Sequence, residues 1–207
     1  MPYEHRIINL SNKPAEFLAK SATGQVPLLE HGDTLVIESK QVVKYVAHNV
    51  APLDDGMYPR QDSKALNRVD KFLQQWSVVV DDYYSCLTAT TEADANLCLV
   101  TFSASLQDLE SILASADGPF LLGQTFSAAE CNASPWVQRF FVTLPYFRSV
   151  DFDHMVVTDF PSVASWMKAV RTRPSVVNTA CPETEMCAAV LRYYVSYISP
   201  GAPGAAD

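Results

Sequence analysis

Apolar and polar positions follow two different rhythms along this chain. In the first fifty residues the runs are short. His5-Arg6-Ile7-Ile8, within 3–9, predicts a strand. Asn12-Lys13-Pro14 opens a short helix, with Pro14 early enough that its missing N–H costs no hydrogen bond and with Phe17 and Leu18 as its apolar side. Leu28-Leu29-Glu30, His31-Gly32-Asp33 and Thr34-Leu35-Val36-Ile37 follow in succession and predict a tight hairpin. Ser39 then caps a helix to His48, whose stripe is Val42, Val43 and Val46.

Ala51-Pro52-Leu53-Asp54-Asp55-Gly56 reads as a linker, and beyond it the period becomes that of long helices. Leu66, Val69, Leu73, Trp76, Val80 and Tyr83 form one stripe. Leu99, Phe102, Leu106, Leu109 and Leu113 form a second, and Gly118-Pro119 ends it. In Phe126-Ser127-Ala128-Ala129-Glu130-Cys131, Ser127 and Glu130 are spaced for a reciprocal cap, and Phe126 and Cys131 for a hydrophobic staple. Trp136, Val137, Phe140, Phe141 and Leu144 supply a bulky face to that helix, which Pro135 should bend. Further helices are predicted over 162–171 and 183–198. The expected organisation is α+β: a small mixed domain over 1–50, a linker over 51–60, an all-α domain over 61–198 and a flexible tail over 199–207.

Composition narrows the function. Of 207 residues, 48% are hydrophobic, enough for a sizeable core. A net charge of -8 argues against a surface that neutralises phosphates, so no nucleic-acid partner is expected. No apolar run approaches the roughly 20 residues that span a bilayer, and the opening residues lack the apolar centre of a signal peptide, so the expectation is a cytoplasmic protein with no membrane partner. The five cysteines, Cys86, Cys98, Cys131, Cys181 and Cys187, match no zinc or CxxC spacing and read as reduced thiols, mostly packed in helices. The four histidines are scattered, no metal is expected, and no HExxH, Walker, GxGxxG or GxSxG motif occurs.

The chemistry-bearing stretch is 12–39. Read from residues alone, Val26-Pro27 is an ordinary trans turn, Glu38-Ser39 a plain helix cap beside a surface carboxylate, and Lys13 a surface amine. In their order and spacing, however, Asn12-Lys13-Pro14, Gly24-Gln25-Val26-Pro27-Leu28-Leu29-Glu30 and Ile37-Glu38-Ser39 resemble the glutathione-binding half of the cytosolic glutathione transferases. The omega class and its plant and microbial relatives are the most similar. Phe120-Leu121-Leu122-Gly123 and Phe126-Ser127-Ala128-Ala129-Glu130 extend the resemblance to the helical half.

The resemblance implies a thioredoxin-like N-terminal domain followed by an all-α helical bundle, and glutathione as substrate. It implies a cis Val26-Pro27 bond whose Val26 backbone pairs with the peptide like an added strand. Ser39 would hold the γ-glutamyl carboxylate, Glu38 the ammonium and Lys13 the glycyl carboxylate. The second substrate would be a small apolar or electrophilic molecule, used in detoxifying conjugation or in thiol and dehydroascorbate reduction, and a homodimer is implied. The family's first strand, reactive Cys or Ser turn and first helix have no counterpart here. Met1-Pro2-Tyr3-Glu4 resembles the start of its second strand, so no catalytic residue is assigned and the activity of this chain is expected to be weak or nil. Strand 3–9 is then expected to be displaced or disordered, through either an incomplete record of the chain or a naturally shortened protein. Cys86, near Tyr83 and Tyr84 on a helix that borders the family's substrate pocket, is read as packing. The competing reading is a non-catalytic interaction module of the same fold.

Overall fold

The structure is a computed structural model, and it describes residues 2–50 and 56–194. They belong to two compact units, one ending at Tyr58 and one beginning at Pro59, each described here by itself.

In the first unit, helix α1 (Ala15–Lys20) precedes strands β1 (Leu28–His31) and β2 (Thr34–Ile37), and helix α2 (Ser39–Asn49) follows. The hairpin forms as its sequence predicts. The strands pair antiparallel from Leu28↔Ile37 to His31↔Thr34, and Gly32 takes φ +59 in the two-residue turn, a conformation that suits a residue without Cβ. The Lys20 ammonium meets Glu30 at 2.7 Å, and the Tyr45 hydroxyl lies 3.0 Å from His31 Nδ1, so both helices are tied to the hairpin. Phe17 and Ala47 are buried, but Leu18 is half exposed: a six-residue helix shows the sheet one side only. The predicted strand over 3–9 does not form. Tyr3 and Ile7 are over 80% exposed, and the only ladder among the described residues is β1 with β2. A strand without a partner gains no ladder hydrogen bonds, which accords with the displaced segment expected above.

The second unit is helical: α3 (Ser63–Thr88), α4 (Glu92–Leu113), α5 (Ala128–Arg148), α6 (Phe152–Asp159), α7 (Pro161–Thr172), α8 (Pro174–Val177) and α9 (Glu183–Tyr194). Asp62 caps α3 through the N–H groups of Lys64 and Ala65, and Thr91 caps α4 through that of Asp94. The core is aromatic. Trp76 packs against Phe72, Phe140 and Trp166 with ring centroids 5.5–5.8 Å apart, and Phe140 continues the cluster to Phe102 and Phe152. On α3 the buried face is Val69, Phe72, Trp76, Val79 and Tyr83, while Leu66, Leu73 and Val80 of the predicted stripe lie on its flank.

Three polar contacts lock the helices. The buried Glu130 carboxylate reaches back to the N–H and hydroxyl of Ser127 (2.8 and 2.7 Å), closing the predicted capping box. It also accepts from the Leu121 N–H (2.8 Å) and the Trp166 indole (3.0 Å). Glu110 on α4 accepts from the Ser162 and Val163 N–H groups at the start of α7 (2.9 and 2.8 Å). Arg148 donates to the carbonyls of Leu87 and Ala89 at the end of α3 (2.6 and 2.7 Å), where a cation also meets the helix dipole. Helix α5 continues through both Pro135 and Pro145. Of the predicted linker 51–60, residues 51–55 lie outside the described residues. So do 195–198 of the last helix and the tail 199–207.

Candidate functional site

The residues singled out from sequence gather at the open end of the hairpin. Helix α1 stops at Ser21, and the Gly24 N–H returns to the Ser21 carbonyl (3.1 Å) with Gly24 at φ +65. The buried Ser21 hydroxyl donates to the Gln25 carbonyl (3.2 Å) and closes the turn. The chain then enters the Val26-Pro27 bond, which is cis. The ladder ends at Leu28↔Ile37, so the next residues along the two strands are Pro27 and Glu38. Lys13 lies by the turn that leads into them: a methyl group on Gly24 would sit 3.9 Å from its Nζ.

One expectation is corrected here. Ser39 does not cap α2. Glu38 is the cap residue, at φ 68 and ψ 125, and its side chain makes no capping hydrogen bond. A positive φ at a residue with Cβ costs on the order of 1–3 kcal/mol, and it turns the chain from strand to helix within one residue. Ser39 therefore becomes the first helical residue. The first intrahelical bond runs from the Val42 N–H to the Glu38 carbonyl (2.9 Å), so the N–H groups of Ser39 and Gln41 precede it. Val26, Pro27, Glu38 and Ser39 are exposed and Lys13 is half-buried. Among the described residues, the Lys13 ammonium, the Glu38 carboxylate and the Ser39 hydroxyl make no side-chain hydrogen bond or ion pair. The result is an accessible end of a hairpin carrying one cation, one anion, a helix N-terminus and the edge of a bent peptide.

The helical unit has a cleft of about 340 Å³ between α3, α5, α9 and the segment after α8. Gln138 shapes it: its amide donates to the Cys181 carbonyl (2.6 Å) and accepts from the Cys181 N–H (3.2 Å), pinning that segment to α5. Tyr83, hydrogen-bonded to Thr143 at 2.8 Å, is pushed up to about 12 by burial. Burial and the hydrogen bond to Tyr194 raise Tyr84 as well, so both phenols stay neutral at ordinary pH. Cys86 is fully buried and its thiol is pushed up to about 12 by that burial, which leaves it a packing residue and no nucleophile. Burial also raises Cys187, and no disulfide joins any of the five cysteines. Among the described residues there is no group of three or more His, Cys, Asp or Glu able to hold a metal, and no helix long and apolar enough to cross a membrane. Arg139, Gln138 and Tyr194 were not singled out from sequence. The i,i+3 spacing of Trp136 and Arg139 on a helix is the one signal that could have drawn attention to them.

Comparison with known proteins bears on both units. Residues 1–53 match the family profile for the glutathione S-transferase N-terminal domain, and residues 64–169 that for the C-terminal domain. The rice (Oryza sativa subsp. japonica) protein named "Probable glutathione S-transferase DHAR1, cytosolic" is 28% identical over 193 residues, covering 91% of this chain and 80% of the relative. The pyrimidodiazepine synthase of Drosophila melanogaster is 28% identical over 181 residues, covering 86% and 70%. Among solved structures, glutathione transferase Omega 3C from Trametes versicolor superposes with a TM-score of 0.77 at 22% identity, over 93% of this chain and 80% of that one. The dehydroascorbate reductase of Chlamydomonas reinhardtii does so with a TM-score of 0.67 at 17% identity, over 93% and 83%. The two profiles cover both the hairpin unit and most of the helical unit, and the chain belongs to the glutathione S-transferase family.

Proposed function

We propose that this chain binds glutathione at the open end of the hairpin and takes part either in its transfer to electrophiles or in glutathione-dependent thiol reduction. The observation that carries the reading is that a cis Val26-Pro27 bond and the uncapped start of α2 follow the same closing pair of one hairpin. In this reading the Val26 backbone pairs with the cysteinyl unit as an added strand. Ser39 and the positive end of α2 take the γ-glutamyl carboxylate. Glu38 takes the ammonium and Lys13 the glycyl carboxylate. The three side chains and the helix end then complement the tripeptide's two carboxylates and one ammonium, and none of the three has to break a contact within the protein first. The reaction would be attack by the glutathione thiolate. With a chloronitrobenzene, the S–C bond forms, the C–Cl bond breaks and chloride departs.

Calorimetric titration of glutathione into the protein tests the cradle. Ser39→Ala keeps the backbone N–H but removes a hydrogen bond to a charged group, so the affinity should fall by about ten- to a hundredfold. An unchanged affinity, or no binding by the parent protein, overturns the assignment. Turnover of a chloronitrobenzene and of dehydroascorbate then distinguishes transfer from reduction. A cytosolic location accompanies the proposal, in line with the rice relative that is named so, and cell fractionation tests it. A homodimer is proposed as well, and light scattering on the eluting protein tests it.

A further inference from the structure

Helices α3 and α4 form an antiparallel pair whose register is fixed at two points. A short turn joins Thr88 to Glu92, and the Gln75 amide donates to the Ser105 carbonyl across the pair (2.9 Å). Both points place Cys86 level with Asp94 and Cys98 level with Asp82, so the two cysteines stand about 6 Å apart along the helix axes. Both lie on packed faces. Cys86 follows Val79 and Tyr83 on the buried face of α3, and Cys98 precedes Phe102, Ser105 and Leu109 at helical spacing on the buried face of α4. Side chains lean toward the N-terminus of their own helix. Because the helices run in opposite senses, Cys86 leans away from the connecting turn and Cys98 toward it, which closes about 3 Å of that offset. Their electrostatics agree with this closeness. Burial first and Cys98 second push the Cys86 thiol up to about 12. Burial lowers Arg148 and both thiols counter it, and Arg148 is held beside them by the Leu87 and Ala89 carbonyls. Cys86 is 0% exposed, whereas Cys98 is half-buried and reachable from solvent.

We propose that Cys86 and Cys98 are a reversible oxidation site, which hydrogen peroxide closes into a disulfide stapling α3 to α4. The unequal burial sets the order of events. Cys98 meets the peroxide: its S–O bond forms, the O–O bond breaks, and water leaves with the thiol proton. The Cys86 sulfur then attacks that of Cys98. The S–S bond forms, the S–O bond breaks, and a second water carries off the Cys86 proton. Two thiols are oxidised and one peroxide is reduced to two waters. Cys86 is no nucleophile toward a reagent in solvent. Toward a sulfur already held beside it, a high effective concentration offsets its small thiolate fraction, and the Arg148 charge favours the thiolate that forms. The pair lies wholly within the helical unit and is independent of the glutathione reading.

The full chain is treated with hydrogen peroxide, its remaining thiols are alkylated under denaturing conditions, and it is cut with a glutamate-specific protease. Glu92 separates the two cysteines, so Cys86 falls in fragment 39–92 and Cys98 in fragment 93–110, with no other cysteine in either. Mass spectrometry should find these fragments joined, lighter by two hydrogens than their sum, in a chain that migrates as a monomer. Dithiothreitol should separate them. The same treatment of the chain unfolded in urea should give the joined pair in severalfold lower yield. In Cys86→Ser the sulfenic acid at Cys98 has no resolving partner, so dimedone should label Cys98 severalfold more than in the parent. Absence of the joined fragments, full alkylation of Cys86 while Cys98 is oxidised, linkage of Cys98 to a second chain, an equal yield from the unfolded chain, or no gain of dimedone label in the variant overturns the proposal. The fragment mapping reads the parent protein, so the test does not depend on any variant folding.

Discussion

Replacing Glu130 by alanine removes one carboxylate that serves three separate segments. The residue is fully buried, and its oxygens accept from the Leu121 N–H, the Ser127 N–H, the Ser127 hydroxyl and the Trp166 indole N–H. The hydroxyl can rotate to another acceptor, but the three N–H groups are fixed by backbone or ring. Each buried donor left without a partner costs on the order of 1–3 kcal/mol. Allowing for partial relaxation and entry of water, Glu130→Ala should destabilise the helical unit by about 3–6 kcal/mol. That is a large share of the roughly 5–15 kcal/mol that holds a domain folded. Glu130→Gln keeps an acceptor oxygen for Leu121 and Trp166 but turns an amide N–H₂ toward the Ser127 donors, so about 2–3 kcal/mol should be lost. Urea unfolding followed by far-UV circular dichroism and tryptophan fluorescence measures both variants. Because Trp166 donates to this carboxylate, its environment should also change before global unfolding. An alanine variant within about 1 kcal/mol of the parent would refute the reasoning, since no arrangement with three orphaned buried donors is that cheap.

Two further perturbations follow from the same geometry. A Cβ at Gly118, which has φ +147, would lie 2.6 Å from the Gly123 carbonyl carbon, so Gly118→Ala must displace the 118–123 turn; a thermal midpoint within about 2 °C of the parent would contradict this. The raised Tyr83 and Cys86 groups give stability that is complete below their ordinary values near 10 and 9 and is lost as pH rises toward about 12, because the unfolded chain ionises first. Urea midpoints measured between neutral pH and pH 11 should therefore fall on the alkaline side, and Tyr83→Phe should flatten that limb; an identical slope in the variant would refute the assignment.

Much of the fold was legible because its signals are local. The hairpin is written in a His31-Gly32-Asp33 turn between apolar runs, and the start of α5 in a Ser127–Glu130 spacing that needs one helical turn to act. The proposed cradle residues came from their order along the chain, and the ladder, ending at Leu28↔Ile37, leaves Pro27 and Glu38 as the next residues of its two strands. Other features depend on what packs where. The apolar arc of α3 is wider than one stripe, and its neighbours decide that Phe72 and Val79 are buried while Leu73 and Val80 lie on the flank. Glu38 rather than Ser39 caps α2, because a positive φ there completes the corner between strand and helix. Glu130 carries a double load only because Leu121 and Trp166, distant in sequence, converge on the oxygens its own cap leaves available. The cleft arises the same way, from α3, α5 and α9 meeting across more than a hundred residues of chain. The sequence by itself determined the long helices, the hairpin, the Ser127–Glu130 cap and the family. Tertiary structure alone decided the buried faces, the long-range acceptors and the cleft, because those depend on contacts between segments that no local spacing encodes.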